Sequence, residues 1–433
     1  MVASDKFTRP ASSVFHVITV VWGAKYLDLF LNWSIPTQLG EGNIEALPRG
    51  SRYRVLTRER HVDEVRNHPM MQAIARIMPV DVVAVSALEA VDNPDPNRRG
   101  DPRFELMTIC HRQSISDAYA AGAALIFLSP DLLMSAGTFA AVVRLHAAGI
   151  RGVACTGVKI DTPSFVKALD GARLEGAPSP RELVRMALPH LHEYAQSMLI
   201  DAKSFNAFPI GVYWPVGAGG LLVRCLHLHP LMIDPMRMNV FPKGTIDTDF
   251  LTRACPDTAR IHVVTDSDEF VIFEISDEDP TGRRCDTTED KKNRKALVDV
   301  GAVRSTGAGV ALWCAAAEAA RCDAIQIHHW RNRPVRLHSE DLDAQWDTIG
   351  AEADAFVRAV MRRCYPFGRR APRWFRLLEQ TRRFRQQYRR AWRQHVPRVR
   401  VKQLLRPLRI ASSRAGKTLR KSTRQFLRRV GVY

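Results

Sequence analysis

Residues 123–138 read AALIFLSPDLLMSAGT. The first six form an uninterrupted apolar run of strand length, too short for a buried helix. Pro130 bars a regular continuation, and an acid, Asp131, stands immediately beyond it. Small residues then open a helix expected from Ala136 to Ala148. A strand that is apolar on both faces belongs in a parallel sheet covered on both sides. Ligands of such sheets bind beyond the carboxyl ends of the strands, which is where Asp131 falls.

The same alternation extends in both directions. Phe15–Gly23 (FHVITVVWG) is a β-branched run closed by glycine and predicts a buried strand. A helix follows from Lys25, with Tyr26, Leu29, Phe30 and Trp33 at helical spacing, and is expected to stop before Pro36. Arg52–Thr57 (RYRVLT) and Val80–Ser86 (VDVVAVS) predict two more strands separated by a short polar helix over Glu59–Asn67. Asp92–Pro102 is a turn-rich loop, Phe104–Gly122 a long helix, and Gly152–Val158 (GVACTGV) a fifth strand. Strands alternating with helices over about 160 residues predict an α/β fold with a Rossmann-like, mostly parallel sheet.

Past residue 165 the pattern is mixed. Pro178–Met198 reads as a helix broken at Pro189. Short strands are expected between Val212 and Ile233, at Arg260–Thr265 and at Phe270–Ile275. Helices are expected at Val310–Arg321 and Ala351–Arg363. The organisation is therefore residues 14–165, residues 166–360 and a basic tail, 361–433.

The tail holds the charge imbalance of the chain. From Met361 to Tyr433 there are 24 Lys and Arg and one acid, Glu379. The chain has 63 basic and 45 acidic residues, which leaves 39 basic against 44 acidic in residues 1–360. A slightly acidic body thus carries a tail of net +23, and the body has no nucleic-acid footprint. Arginines in the tail alternate with aromatic and leucine residues, including Trp374, Leu377, Leu378, Phe384 and Tyr388 at helical spacing. Such a segment suits an anionic membrane surface, and nucleic acid is the less favoured partner. Eight cysteines without a Cys-x-x-Cys pair fit a reducing compartment. The first residues lack the pattern of a signal peptide, and no window is long and apolar enough to span a bilayer. The expected location is cytoplasmic, peripheral at the inner face of the membrane.

Several constellations can carry chemistry. Asp131 at a strand end suits a hard divalent cation that shares oxygens with a diphosphate, or caps the next helix. His227 and His229, in CLHLHPL, point to one face if extended; they serve as a metal or catalytic pair or as core histidines. Asp247 and Asp249, in GTIDTDFL, present paired carboxylates, as do Asp266 and Asp268 in DSDEF. Such pairs bind a cation, hold hydroxyls or act as a base, and they equally occur as solvated turns. Ser305–Gly309 before a helix and His328-His329-Trp330 read as a plain helix start and a strand end. The chain has no Gly-x-Ser-x-Gly elbow and no Gly-x-Gly-x-x-Gly after its first strand.

The pieces FHVITVVWG, FLNWSIPTQL, RYRVLT and FLSPDLLMSAGTF, with CLHLHPLMIDP, GTIDTDFL and DSDEF further on, resemble bacterial glycosyltransferases of the GT-A type from surface-polysaccharide clusters. The resemblance covers residues 14–275. It implies a nucleotide-sugar-binding half, 14–165, and an acceptor-binding half, 166–360. Trp22, Gly23 and Thr57 would contact the nucleotide. Asp131 and His229 would hold Mn²⁺ or Mg²⁺, and Asp247, Asp249 and His229 would serve catalysis. The family carries Asp-x-Asp where this chain reads Ser129-Pro130-Asp131, so one acid of the pair is missing. The implied reaction is transfer of a sugar from a nucleotide-sugar to a glycan or lipid-linked acceptor. The alternative is a non-catalytic α/β scaffold with a nucleic-acid-binding tail.

Overall fold

Six consecutive buried residues, Phe15–Val20, form strand β1 in the interior of the main sheet. The computed structural model describes residues 10–92, 102–169, 174–202, 211–225, 228–237, 239–242, 246, 248–276 and 334–364. The expected loop at 93–101, the segment 305–309, the helix at 310–321, the 328–330 strand end, His227, Asp247 and residues 365–433 lie outside them. The described residues all belong to one compact unit, which ends at Cys364.

The strands among the described residues are β1, β2 (Arg52–Thr57), β3 (Val80–Ala84), β4 (Ala124–Leu128), β5 (Leu132–Met134), β6 (Gly152–Cys155), β7 (Gly157–Asp161), β8 (Gly211–Val216), β9 (Gly220–Cys225), β10 (His229–Ile233), β11 (Ile261–Val263), β12 (Ile272–Ser276) and β13 (Val335–His338). Seven of them make one sheet in the order β11-β6-β10-β4-β1-β2-β3. All neighbours are parallel except β10, which runs antiparallel to both β4 and β6. This is an α/β fold with a mostly parallel sheet, as the alternation of apolar runs and helices predicts. Successive side chains of β1 enter opposite layers: Val17 packs in one buried cluster and Ile18 in the other. That two-sided burial is why β4 reads as a continuous apolar run and β1 as one interrupted only by His16 and the β-branched Thr19.

Two three-stranded sheets complete the unit, β5-β12-β7 and β13-β9-β8. The first departs from expectation. Gly152–Val158 is not one strand: the chain turns at Thr156, so β6 joins the main sheet and β7 joins β12. The residues after Asp131 do not lead straight to a helix either. They form β5, antiparallel to β12, and the helix Thr138–Ala147 begins only after Gly137 in the left-handed region, φ 77°. Asp131 is therefore not a helix cap.

The helix after β1 also differs. It does not stop before Pro36 but widens into a π segment, Phe30–Ser34, and resumes as Ile35–Gln38 with proline in its first turn. Pro36 has no N–H to give, and at a helix start none is required. The wide turn places the proline at such a start. Behind it Gln38 accepts from the Tyr53 hydroxyl at 2.7 Å and donates to Ser34 Oγ at 3.0 Å, which fixes the segment against β2.

The amino-terminal end is tied down by Asp234, which is fully buried just after β10. Its carboxylate accepts from Ser12 N at 2.9 Å and Ser12 Oγ at 2.8 Å, and meets His146 Nε2 and Arg151 Nε at 2.9 Å each. Burial alone would raise its pKa. The hydrogen bonds of His146 and Ser12 and the charge of Arg151 outweigh that and hold it below the usual carboxylate range.

Candidate functional site

The order of strands reverses between β1 and β4: β2 and β3 lie to one side of β1 and β4 to the other. Ligands of open α/β sheets bind at such a switch point, outside the carboxyl ends. Trp22 and Gly23 follow β1 there, and Ser129-Pro130-Asp131 follows β4. Thr57 ends β2 and Thr156 follows β6. Because β10 is antiparallel, its first residue, His229, stands at the same edge, opposite Cys155.

Gly23 has φ +83°, and a Cβ there would meet nothing within 4 Å. The turn needs glycine for its dihedral rather than for space, and it leaves an open place beside Trp22. Thr57 is completely buried, so its hydroxyl lies under the surface of the crevice.

Asp131 is 7% exposed. Ser129 hydrogen-bonds its carboxylate, yet Oδ1 has no partner among the described residues. The nearest charges come from the small sheet behind it. Glu274 of β12 and Lys159 of β7 are register partners and form an ion pair. Burial, with the charge of Glu274 adding to it and that of Lys159 opposing it, pushes the Asp131 carboxyl up to about 7. At neutral pH this acid is poised between its two forms. Thr156 Oγ1 and His111 Nδ1 are likewise buried without a partner. A buried polar atom left unpaired costs about 1–3 kcal/mol, and three of them gather where β4, β6 and β10 meet this edge. Others, such as His16 Nδ1 and Trp214 Nε1, lie elsewhere.

His229 Nε2 lies 2.9 Å from the carbonyl oxygen of Phe127. A carbonyl only accepts, so Nε2 carries the proton and Nδ1 the lone pair. Burial lowers the pKa of His229, against the raising effects of the Phe127 carbonyl and Glu274, so the ring is neutral at pH 7. His111 on the helix Pro102–Ala120 stands edge-on to the same Phe127, ring centroids 5.7 Å apart. Burial and the neighbouring His229 push its pKa down to about 3.

The sequence-derived residues divide accordingly. Trp22, Gly23, Thr57, Asp131 and His229 share one edge of one sheet. Asp249 lies on the helix Thr248–Ala254, where only the backbone is described, and Asp247 lies outside the described residues. Lys159, Glu274, Thr156 and His111 were missed. The available signal for Lys159 and Glu274 was one charged residue inside an otherwise apolar strand, in GVKID and IFEIS.

A second cluster lies beyond β11. Asp266, Asp268 and His338 offer ligand atoms within 4.8 Å of one another. His338 Nε2 is 2.8 Å from Asp266 Oδ1. Arg181 holds Asp268 Oδ2 at 2.8 Å and Asp341 at 2.8 Å, and keeps the Asp268 carboxyl below its usual pKa. A cation there would compete with a guanidinium already in place. Asp266 and Asp268 lie on the connection between β11 and β12, and His338 ends β13 of the β13-β9-β8 sheet.

No protein-family model matches the chain, and no curated protein matches it. Among solved structures, mouse xyloside xylosyltransferase 1 in its apo form is similar over 36% of this chain and 56% of that one, at 13% identity and a TM-score of 0.20. The similarity thus spans just over half the length of that structure. A likeness of that size decides neither fold nor reaction.

Proposed function

We propose that this chain is a GT-A-type glycosyltransferase that moves a sugar from a nucleoside-diphosphate donor to a glycan or lipid-linked acceptor. The observation that carries the proposal is the buried carboxylate of Asp131, with one oxygen unpaired, at the carboxyl edge beside the strand-order switch. The nucleotide would lie over the end of β1, against Trp22 and the open place at Gly23, with Thr57 beneath.

The residues present fit a hard divalent cation, Mn²⁺ or Mg²⁺. An unpaired carboxylate oxygen in a site poor in water is what such an ion takes, leaving its other positions to phosphate oxygens. Asp131 would hold it, and His229 could add only Nδ1, since Nε2 is spent on Phe127. When bound, the ion neutralises the departing diphosphate. His229 and His111, neutral in their buried positions, present dipoles to the site without adding charge. Asp247 or Asp249 would take the proton of the acceptor hydroxyl.

The acceptor half is residues 166–360. The tail, 361–433, would hold the enzyme at an anionic membrane where lipid-linked acceptors reside, each engaged basic residue contributing about 1 kcal/mol. Among the described residues no helix is long and apolar enough to cross a membrane. Calorimetric titration with nucleoside diphosphates and nucleotide-sugars tests the proposal. Binding that Asp131→Asn weakens supports it. Absence of binding by the folded wild type removes it and returns the α/β scaffold with a nucleic-acid-binding tail.

A further inference from the structure

The three strands β5, β12 and β7 bring together charges from three distant parts of the chain. β12 is the central strand, and Glu274 pairs with Leu132 on one side and Lys159 on the other. The backbone of the next residue, Ile275, donates to the carbonyl of Asp131 at 2.9 Å. Lys159 is buried and salt-bridged to Glu274, whose side chain keeps 28% of its surface exposed. Asp131 is nine-tenths buried, and its Oδ1 has no partner.

Counted as ionised groups, the cluster holds two carboxylates and one ammonium. Glu274 is compensated by Lys159, and Asp131 is left over. A Lys–Glu pair that served only to bridge two strands would be complete by itself. It would gain nothing from a second, uncompensated carboxylate beside it, where an unpaired buried charge is costly. Asp131 alone offers a cation a single carboxylate, and hard cations of this kind are usually held by one or two.

We propose that Glu274 supplies the second carboxylate of the cation site at Asp131, and that Lys159 is a resident ammonium which a divalent cation displaces. This rests on the reading of Asp131 given above and goes beyond it by naming a ligand on another strand and a competitor for the site. The exposed flank of Glu274 is the route by which the ion enters and the ammonium leaves. Lys159 keeps Glu274 compensated while the site is empty of metal, and its flexible stem lets it withdraw. The Asp266, Asp268 and His338 cluster is the rival site, and one of its two carboxylates, Asp268, is already held by Arg181.

The test is titration of the full-length protein with MnCl₂ alone, read by the loss of the free-ion paramagnetic resonance signal and by the shift in melting temperature. The wild type is expected to bind one ion. Glu274→Gln should weaken binding about ten-fold or more, the scale of changes around a metal ligand. Lys159→Met should tighten it about ten-fold and enlarge the melting shift, because a charge repelling the ion from a few ångströms is gone. Asp268→Asn should change nothing. If Glu274→Gln fails to fold, the gain expected of Lys159→Met still decides the matter. The inference is overturned if Glu274→Gln binds as the wild type does, if Lys159→Met binds no tighter, if Asp268→Asn abolishes binding, or if the wild type binds no Mn²⁺. A parallel titration with UDP and GDP in chelator separates the two proposals. Nucleotide binding without a manganese site leaves the glycosyltransferase reading standing. A manganese site at Glu274 without nucleotide binding, with or without the metal, leaves the site and removes that reading.

Discussion

Replacing Asp131 by Asn is expected to make the protein more stable at alkaline pH while disabling it. The carboxyl of Asp131 is raised from 3.8 to about 7 by burial and by Glu274. The folded protein therefore prefers the protonated acid, and the unfolded chain releases the proton three decades earlier. Stability from this group is complete below pH 4 and is lost as pH rises through 7. The full loss is ~4 kcal/mol, at 1.36 kcal/mol per decade. Asn has the shape of the neutral acid and never ionises, so it escapes this loss. Set against a lost hydrogen bond from Ser129 of about 1 kcal/mol, the net gain at pH 8.5 is about 2–3 kcal/mol. For a body of this size that raises the melting temperature by roughly 2 °C per kcal/mol. The assay is thermal and urea unfolding of wild type and Asp131→Asn in chelator at pH 5 and pH 8.5. The difference should be large at pH 8.5 and small at pH 5, where the roughly 1.6 kcal/mol already lost to ionisation of the unfolded chain is largely offset by the missing hydrogen bond. An Asn variant less stable than wild type at pH 8.5, or a difference independent of pH, would refute the reasoning.

Other expectations follow from the same geometry. Asp234→Ala strands the buried partners His146 and Arg151 and should cost about 3–5 kcal/mol in urea unfolding. Because the Asp234 pKa is lowered, its contribution is present above pH 4 and fades as pH falls through the folded value, so the variant should lose least at acid pH. Gly23→Ala, placed at φ +83° and ψ 142° with open space for a methyl, should lose about 1–3 kcal/mol to backbone strain alone, seen as a fall in melting temperature. His229→Ala should abolish sugar transfer while lowering stability only by the roughly 1 kcal/mol of one hydrogen bond; a variant that unfolds would make His229 a core residue instead. Truncation after Cys364 should leave a folded body that no longer co-sediments with anionic vesicles, whereas the full chain should do so with steep salt sensitivity.

The central sheet was legible because burial on both faces writes itself as unbroken apolar runs. Ala124–Leu128 is such a run, Phe15–Val20 departs from one only at the buried His16 and Thr19, and their turn signals, Gly23 and Pro130, mark where a ligand edge begins. The small sheet was not legible. β5 has three residues, β7 follows β6 after a single residue, and β12 pairs with strands more than a hundred residues away. No local periodicity encodes such pairings. The candidate site divides along the same line. Asp131 announced itself by position after a strand, but Lys159 and Glu274, 115 residues apart, meet only through sheet register. The π segment escaped for another reason: proline reads as a helix stop, and the wide turn that accommodates it has no composition of its own.

The claim that this edge is a nucleotide-sugar site is tested most directly by calorimetric titration of the full-length protein with UDP, GDP and their sugar conjugates in the presence of Mn²⁺, beside Asp131→Asn. One donor should bind at a single site, and the more stable Asn variant should bind it at least ten-fold more weakly. A folded wild-type protein that binds none of them, or an Asp131→Asn variant that binds as tightly as wild type, would contradict the account.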